Sequence, residues 1–296
     1  MKILLLPLVI ASLALGHSPI LRADDDLLPK PVLITDTNGW WQKVDKGTSE
    51  TLHTNDGGKT WQNVTPEGVK RAVKQLPQDQ VGNEFLAGLV CLEPLDAHRL
   101  WLAAPLNHEM MVAYTGDDGQ HWWQGSVPVA DDSVDLSFLD ERCGYLLATS
   151  FPAGGHMDKQ LFGTTDSGRH WEKLAVPKEG GYYVSGVYFR TPQEGWISGE
   201  YRGLRGVPIF RTNDGARNWT QVSLDIPEVV AKHKDFYANA TPPAFSGPKR
   251  EKGTLTIQFR QHTDQPYFTA TAEYHSDDGG RTWHLPAVGV KTVPDE

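Results

Sequence analysis

The sequence contains little cysteine, no excess of positive charge and, beyond its first residues, no long apolar segment. Cys91 and Cys143 are the two cysteines among 296 residues, too few sulfur ligands for a cysteine-based zinc site. The formal net charge is −9 at pH 7. This balance argues against general nucleic-acid binding, which requires Lys and Arg to neutralise phosphates. After the N-terminal residues, no segment is long and apolar enough to cross a membrane as a helix.

Several catalytic motifs are also missing. His108-Glu109 lacks the second histidine of a helical zinc motif. There is no Gly-x-Ser-x-Gly nucleophile turn, and no glycine-rich phosphate loop leads from a strand into a helix. The sequence therefore predicts neither a metal site nor a cofactor.

The N-terminal residues have the pattern of a secretory signal peptide. Lys2 supplies positive charge, an apolar stretch follows from Ile3 to Gly16, and Ala23 is a suitable cleavage position. A site near Ala14 or Gly16 is the alternative. We expect residues 1–23 to be removed and residues 24–296 to form one domain in the periplasm or outside the cell. No Cys follows the apolar stretch, which argues against a lipid anchor.

One eight-residue pattern, [ST]-x-D-x-G-x-x-W, is present in five copies, of which the fourth has Ala216 in place of glycine. The copies begin at Thr54, Thr115, Thr164, Thr212 and Ser276. The Asp carboxylate and the hydroxyl can accept hydrogen bonds from backbone N–H groups of a tight turn. A glycine can take the positive φ of such a turn, at which alanine costs about 1 kcal/mol. The Trp ring begins the next strand as an apolar wedge. We expect structural roles for Asp56, Trp61, Asp117, Trp122, Asp166, Trp171, Asp214, Trp219, Asp278 and Trp283.

This pattern resembles the Asp-box, or BNR, repeat of β-propellers. The superfamily includes sialidases, sortilin-type domains and photosystem II assembly factors. The resemblance implies an all-β propeller of four-stranded blades, and it specifies the fold more closely than the function.

The spacing of the boxes predicts the number of blades. Successive boxes begin 61, 49, 48 and 64 residues apart, so the shorter interval defines one blade and the longer ones a blade with an insertion. Five blades is the simplest count, and six follows if an insertion hides a degenerate blade. Helical insertions are predicted near residues 65–77, with Thr65 as N-cap, and 226–235. The first strand of blade five is predicted near Thr241 to Phe245, and the C-terminal residues from Val293 are expected to fray.

Strand direction separates the two faces of the disc. The boxes join strands three and four and share a face with the turns between strands one and two, whereas the connections between strands two and three lie opposite. In Asp-box families ligands generally use that opposite face. The predicted ligand-binding residues there are His108, His156, Tyr201, Arg202, Arg205, Arg260 and His262. Lysines and arginines in these loops suggest a protein or glycan partner, and an anionic one would be attracted to them.

Two functions remain open. A sialidase-like glycosidase would need three arginines for a carboxylate, a Tyr–Glu pair and an Asp acid/base, for which Tyr201, Glu200 and Asp264 are the candidates. The Phe/Tyr-Arg-Ile-Pro motif of sialidases is absent. We therefore favour an exported, non-enzymatic and monomeric binding or assembly-scaffold propeller. Cys91 and Cys143 are predicted at comparable inner-strand positions of adjacent blades, where they could pair as a disulfide in an oxidising compartment or remain free thiols.

Overall fold

The structure is a computed structural model that describes residues 29–45, 47–75, 89–129, 131–151, 156–178, 182–201, 207–232, 236–246, 250–261, 268–286 and 290–294. These residues form antiparallel sheets, which divide into blades with one box each. Blade one comprises β1 (Val32–Leu33), β2 (Gly39–Asp45), β3 (Thr48–Thr54) and β4 (Gln62–Asn63). Blade two comprises β5 (Cys91–Pro94), β6 (Leu100–Leu106), β7 (Glu109–Thr115) and β8 (Trp123–Val127). Blade three comprises β9 (Ser133–Phe138), β10 (Gly144–Thr149), β11 (Lys159–Thr164) and β12 (Glu172–Leu174).

Blades four and five are joined into one larger sheet. Blade four comprises β13 (Tyr182–Phe189), β14 (Gly195–Tyr201), β15 (Ile209–Thr212) and β16 (Thr220–Gln221). Blade five comprises β17 (Phe236–Ala240), β18 (Ala244–Ser246), β19 (Lys252–Gln261), β20 (Phe268–Ser276) and β21 (Val290–Pro294). The end of β14 pairs with β17 through Glu200 and Tyr201. The predicted all-β propeller of four-stranded blades is confirmed, and the described residues contain five blades.

The edges of blade five differ from the prediction. Its first strand is interrupted at residues 241–243 and pairs with β19 as two pieces, β17 and β18. Proline at positions 242 and 243 lacks the N–H that a continuous ladder needs. Outside the box, His284 forms an isolated bridge to His275. The chain then returns as β21 along Phe268–Ala272, in the region where fraying was predicted.

The two predicted insertions contain helices α1 (Glu67–Gln75) and α2 (Glu228–Ala231). Val69 and Val73 of α1 are buried, as their spacing predicts. Thr65 does not cap the helix, because its hydroxyl accepts the Thr51 N–H at 2.9 Å and donates to Asn63. Instead, the Gly68 N–H donates to Oε1 of Gln124 in blade two at 2.9 Å. The first turn of α1 is thus tied to the neighbouring blade.

The core lies in layers between adjacent blades. An aromatic residue of one blade's second strand meets the innermost strand of the next: the Trp101 and Phe138 ring centroids are 4.0 Å apart, and those of Tyr145 and Phe189 are 3.4 Å apart. A box tryptophan also contacts the preceding blade, since Trp122 Nε1 of blade two donates to the Val64 carbonyl, just after β4 of blade one, at 2.8 Å. These contacts join blade two to blade three, blade three to blade four, and Trp122 of box two to the segment after β4.

Of the two alternatives that the sequence left open for Cys91 and Cys143, the structure has free thiols and no disulfide between them. Cys91 lies on the innermost strand of blade two, where its Sγ donates to Asp135 Oδ1 at 3.7 Å. Cys143 instead belongs to the surface turn before β10, and its N–H donates to Asp140 at 2.8 Å. The two positions are not equivalent in their blades.

Candidate functional site: the face opposite the Asp-boxes

The boxes share a face with the turns between strands one and two, as predicted. In each blade the residue before the box glycine, or before Ala216, donates its N–H to that turn. The donor and acceptor pairs are Gly57 to Thr37, Asp118 to His98, Ser167 to Arg142, Gly215 to Gln193 and Gly279 to Glu251, at 2.8–3.1 Å. Connections between strands two and three therefore lie on the opposite face.

A two-residue connection in blade two places His108 at that face. β6 and β7 are joined by Asn107 and His108 alone, with φ of 54° and 64°. Two successive positive φ values are typical of a type I′ hairpin turn, which matches the twist of the flanking strands. The turn exposes the predicted site residue His108.

His108 lines a cavity of about 260 Å³ between α1 and blades two and three. We call this the acidic cavity; its lining is Ala72, Gln75, Leu89, Pro105, Leu106, Asn107, His108, Glu109, Asp131 and Asp132. The apolar residues come from α1, from residue 89 and from the end of β6. The carboxylates lie on the chain segments that enter β7 and β9.

Asp131 and Asp132 of the acidic cavity have polar partners, and the charge of Lys173 also acts to lower the pKa of Asp131. Burial raises the pKa of Asp131, and Gln160 Nε2 opposes this by donating to its carboxylate at 3.2 Å. Asp132 accepts the Phe151 N–H at 3.0 Å. None of the salt bridges between described residues includes Glu109, Asp131 or Asp132. A cationic or hydrogen-bond-donating group would be favoured here.

An exposed aromatic residue lies beside the acidic cavity. Phe151, which follows the end of β10, is 48% exposed. On the far side of this connection the predicted residue His156 contacts Asp158, with 3.0 Å between Nε2 and Oδ1. Asp158 in turn donates its N–H to Ser150 Oγ at 2.9 Å. Blade three thus presents an apolar ring and hydrogen-bonded polar groups on one connection.

The predicted ring of basic residues is only partly present in the described residues, because several bases have local partners. Lys70 Nζ lies 2.7 Å from Glu67, and Lys232 Nζ lies 3.1 Å from Glu228. Lys159 Nζ lies 3.8 Å from the Tyr182 ring centroid, and burial lowers the pKa of Lys159. The sector around blades two and three is therefore more acidic than predicted.

The remaining predicted site residues do not converge in the described residues. Tyr201 is 6% exposed, and its ring packs in the core with its centroid 6.1 Å from that of Tyr182. Arg260 is exposed and donates to Gln258 at 3.1 Å. Glu200 pairs through its backbone with β13 and β17. Arg202, Arg205, His262 and Asp264 lie outside the described residues, so the sialidase-like constellation stays a prediction.

The sequence interpretation missed Asp131, Asp132 and Phe151. Their signal was a pair of adjacent acids directly before a predicted strand, and a large apolar residue in a strand-two to strand-three connection. Neither pattern is specific without a structure. Surface acids are common, and single exposed apolar residues need no explanation.

Comparison with known sequences supports the Asp-box assignment. The sequence profile of a family described as "Photosynthesis system II assembly factor YCF48" matches residues 115–229. A protein of Synechococcus sp. (strain CC9902), described as "Photosystem II assembly lipoprotein Ycf48", is 32% identical over 94 residues. The match covers 31% of this chain and 24% of that relative. The chain therefore matches about a quarter of the length of this curated relative.

Comparison with solved structures finds propellers at low identity. YCF48 from Cyanidioschyzon merolae has a TM-score of 0.47 and 14% identity, covering 87% of this chain and 70% of that one. The six-bladed fucose-binding lectin of Aleuria aurantia has a TM-score of 0.43 and 9% identity, covering 87% and 90%. A structure described as "YCF48 bound to D1 peptide" has a TM-score of 0.34 and 15% identity, covering 67% and 82%. The sequence matches confirm the resemblance to Asp-box propellers that include the photosystem II assembly factors. Within the described ranges, no helix is long and apolar enough to span a membrane.

Proposed function

We propose that this protein is an exported, non-enzymatic propeller that binds a protein client through the face opposite the Asp-boxes and acts as an assembly scaffold. The observation that carries this proposal is the match of residues 115–229 to the photosystem II assembly factors. Those residues supply blades three and four together with the box and last strand of blade two, and they include the carboxylates Asp131 and Asp132. Phe151 also lies within the segment that has assembly-factor relatives, whereas His108, Glu109 and α1 precede it.

The geometry of the face supports a protein client. The acidic cavity offers carboxylates and a partly apolar lining, and Phe151 offers an exposed ring beside it. An aromatic anchor next to polar groups is the composition that protein interfaces favour. A peptide with basic and apolar side chains fits this sector better than the anionic partner that the loop bases suggest.

Site-specific photo-crosslinking tests which face is used. A photoreactive amino acid is placed at position 108 or 151 on the proposed face, and at exposed Lys59 in box one as the matched control. The full-length protein is irradiated in its native host. We expect one discrete client to be crosslinked from positions 108 and 151 and not from position 59. Equal crosslinking from both faces would contradict the proposal, as would the absence of any discrete client.

A binding measurement then tests the contact itself. The D1 peptide named for the solved YCF48 complex is the first probe, and the crosslinked client is the second. Phe151→Ser and Asp132→Asn should each weaken binding about tenfold, the effect expected for one anchoring contact. The control Lys59→Ala should leave it unchanged. A client that binds both variants as tightly as the wild type does not use this surface.

An enzymatic assay addresses the sialidase-like alternative. The buried position of Tyr201 favours a packing role for its ring over a nucleophilic one. We expect the purified protein not to hydrolyse fluorogenic sialosides. Robust turnover that disappears in Tyr201→Phe would overturn the scaffold proposal. Export is tested separately by N-terminal sequencing of the mature protein, which should begin near Asp24.

A further inference from the structure

Each blade packs on the next blade of the chain through buried apolar residues, except at one junction. Clusters of such residues join blade one to two, two to three, three to four and four to five. Among the described residues, no cluster joins blade five to blade one. We call the side of a blade that faces the next blade its front, and the other side its rear. The front of blade five and the rear of blade one are thus two ends of an arc.

The strand register shows which residues would meet if blade five packed on blade one. Inside the chain, the aromatic residue near the start of a second strand contacts an innermost-strand phenylalanine of the next blade. The pairs are Trp101 with Phe138, Tyr145 with Phe189 and Trp196 with Phe245, whose ring centroids are 4.0, 3.4 and 4.8 Å apart. By strand pairing, the corresponding residues at the two ends are Thr254 of blade five and Leu33 of blade one.

Leu33 and Thr254 are accessible where their counterparts are buried. Leu33 is 45% exposed, whereas the phenylalanines at its position in blades three, four and five are at most 8% exposed. Thr254 is half-buried, whereas the aromatic residues at its position in the other four blades are at most 6% exposed. The two ends of the arc therefore do not pack on each other within one chain.

The front of blade five is polar throughout. Its side chains on β19 and β20, each at least partly exposed, are Thr254, Thr256, Gln258, Arg260, Thr269, Thr271, Glu273 and His275. The residues that alternate with them, such as Leu255, Ile257 and Tyr274, are buried on the side of blade four. An apolar partner would leave the polar groups of this front without hydrogen bonds, so the surface suits a partner that carries charges and polar groups.

The rear of blade one combines apolar and charged side chains. The Lys43 Nζ lies 5.9 Å from the Trp41 ring centroid, and alternation along β2 places Asp45 on the same side. Trp41 is half-buried. The residues at its position in the other blades are Leu102, Leu146, Ile197 and Leu255, all fully buried. The rear of blade one is thus less covered than every other rear in the described structure.

Charges of opposite sign lie at matching heights on the two ends. When Gly39 and Gly253, which pair with the first residue of their boxes, are aligned, Asp45 and Arg260 differ in height by one residue. Lys43 and Glu273 differ by one residue as well, because Glu273 pairs with Thr256. Arg260 and Glu273 have local contacts, with Gln258 and His275, but these join exposed side chains that can exchange partners.

We propose that the front of blade five packs on the rear of blade one of a second copy of this chain, with Arg260 facing Asp45 and Glu273 facing Lys43. Leu33 and Trp41 supply the apolar part of the contact, and a mixture of apolar and polar groups is typical of non-obligate interfaces. The contact joins two different surfaces, so it can close a ring of copies or continue as a chain of them. It does not depend on the client proposed above, and it departs from the monomer expected from the sequence.

Analytical ultracentrifugation over a range of protein concentrations tests the proposal. We expect the average mass to rise with concentration and the association to weaken in high salt, which screens exposed charges. Arg260→Glu should raise the dissociation constant about tenfold, because it places two carboxylates opposite each other. Adding Asp45→Arg to the same chain should restore the association. Arg281→Glu is the matched control, since it makes the same charge change at an exposed position in box five.

Two results of the ultracentrifugation would overturn the proposal. One is a protein that stays monomeric up to about 1 mM, a concentration at which even weak specific contacts are populated. The other is equal weakening by Arg260→Glu and Arg281→Glu, which would reduce the association to net charge.

Crosslinking between separately labelled copies shows which surfaces meet. Leu33→Cys and Thr254→Cys are made in different chains, each with Cys91 and Cys143 replaced by serine, and an unchanged circular dichroism spectrum confirms their fold. A bifunctional maleimide should crosslink a mixture of the two variants into dimers, but neither variant alone. Thr220→Cys, at an exposed position on the outer strand of blade four, replaces Leu33→Cys as the control and should give no dimer. If Leu33→Cys and Thr254→Cys crosslink only when both are in one chain, blade five closes on its own blade one and the proposal is wrong.

Discussion

At the scale of single residues, each box is closed by hydrogen bonds within seven residues of chain. In box one, Asp56 Oδ1 accepts the Thr54 hydroxyl and the Thr60 N–H, both at 2.9 Å, and Oδ2 accepts the Thr60 hydroxyl at 2.6 Å. The other four boxes repeat these contacts, with His, His, Asn and Thr in the place of Thr60. The carboxylate thus holds both ends of the turn.

Acid should weaken the boxes. Hydrogen bonds from Thr60 lower the pKa of Asp56 from 3.8 to about 2. A lowered folded-state pKa contributes stability above the unfolded pKa, and this contribution is lost as pH falls through the folded value. We expect the free energy of unfolding in urea to fall between these two pH values. Asp56→Asn should be less stable than the wild type at pH 5 and should lose less free energy of unfolding when the pH is lowered. A wild-type free energy of unfolding that does not change over this pH range would contradict the expectation.

Each box contains two successive residues with positive φ, and in box four one of them is Ala216 instead of glycine. Ala216 has φ of 64° and keeps the box hydrogen bond from its N–H to Thr212 at 3.0 Å. The positive φ predicted for this position is therefore present, and the turn retains its form. The matching Gly168 has φ of 72°, and a Cβ there would lie 3.2 Å from Trp123.

The backbone contributions of Gly168→Ala and Ala216→Gly to the free energy of unfolding should have opposite signs. Gly168→Ala should lower the free energy of unfolding by about 1–2 kcal/mol, since the added Cβ is disfavoured at positive φ. Ala216→Gly removes that strain but also a buried methyl group worth about 0.8 kcal/mol, so its net effect should be smaller. Urea unfolding of the pair measures both. If both variants lost the same free energy of unfolding, positive φ would not be the cause of the loss in Gly168→Ala.

At the scale of elements, β13, the innermost strand of blade four, has β14 as its one strand partner among the described residues, and side chains of blade three satisfy N–H groups on its other edge. Asp135 Oδ2 of β9 accepts the Val187 N–H of β13 at 2.7 Å, and Ser137 Oγ accepts the Phe189 N–H at 2.8 Å. An unpaired buried N–H is costly, and an open edge invites pairing with other chains. These side chains therefore join blade three to blade four without a continuous sheet.

Ser137→Ala should show what one such contact contributes. Ser137 is 2% exposed, so its removal leaves the Phe189 N–H buried without this acceptor. We expect a loss of about 1–3 kcal/mol in the free energy of unfolding. Exposed Ser126→Ala is the control and should change it little. Faster hydrogen exchange at Phe189 should accompany the loss, and unchanged exchange would contradict this role.

At the scale of the whole molecule, acidic residues from different blades meet near the innermost strands. Burial, with a contribution from the charge of Asp135, raises the pKa of Glu93 to about 8. Burial also raises the pKa of Asp135 to about 6, against opposing hydrogen bonds from the Val187 and Leu136 backbones and from Cys91. Arg250 of blade five acts in the opposite direction on Glu93. The innermost strands therefore favour protonated carboxyl groups.

This cluster should make the protein less stable in alkali. A carboxyl group whose folded pKa is raised contributes stability below its unfolded pKa, and that contribution is lost as pH rises through the folded value. For Glu93 the loss should extend from its ordinary 4.5 to about 8. In Glu93→Gln the free energy of unfolding should fall less over this pH range than in the wild type. Its fall in acid, to which Asp56 contributes, should be unchanged. An unchanged alkaline slope would show that Glu93 does not titrate in this range.

The sequence by itself determined the boxes, the four-stranded blades and the two faces, because each box is a local hydrogen-bonded unit whose partners lie within a few residues. The burial of Val69 and Val73 in α1 was equally readable from spacing.

Other features were decided only by the tertiary structure, because their partners come from different blades. Gln124, which accepts the N–H of Gly68 in the first turn of α1, lies 56 residues further along the chain, and Cys91 contacts Asp135, 44 residues away. The same holds for the acidic cavity. Asp131 reads as a loop acid until folding brings it beside His108 and α1.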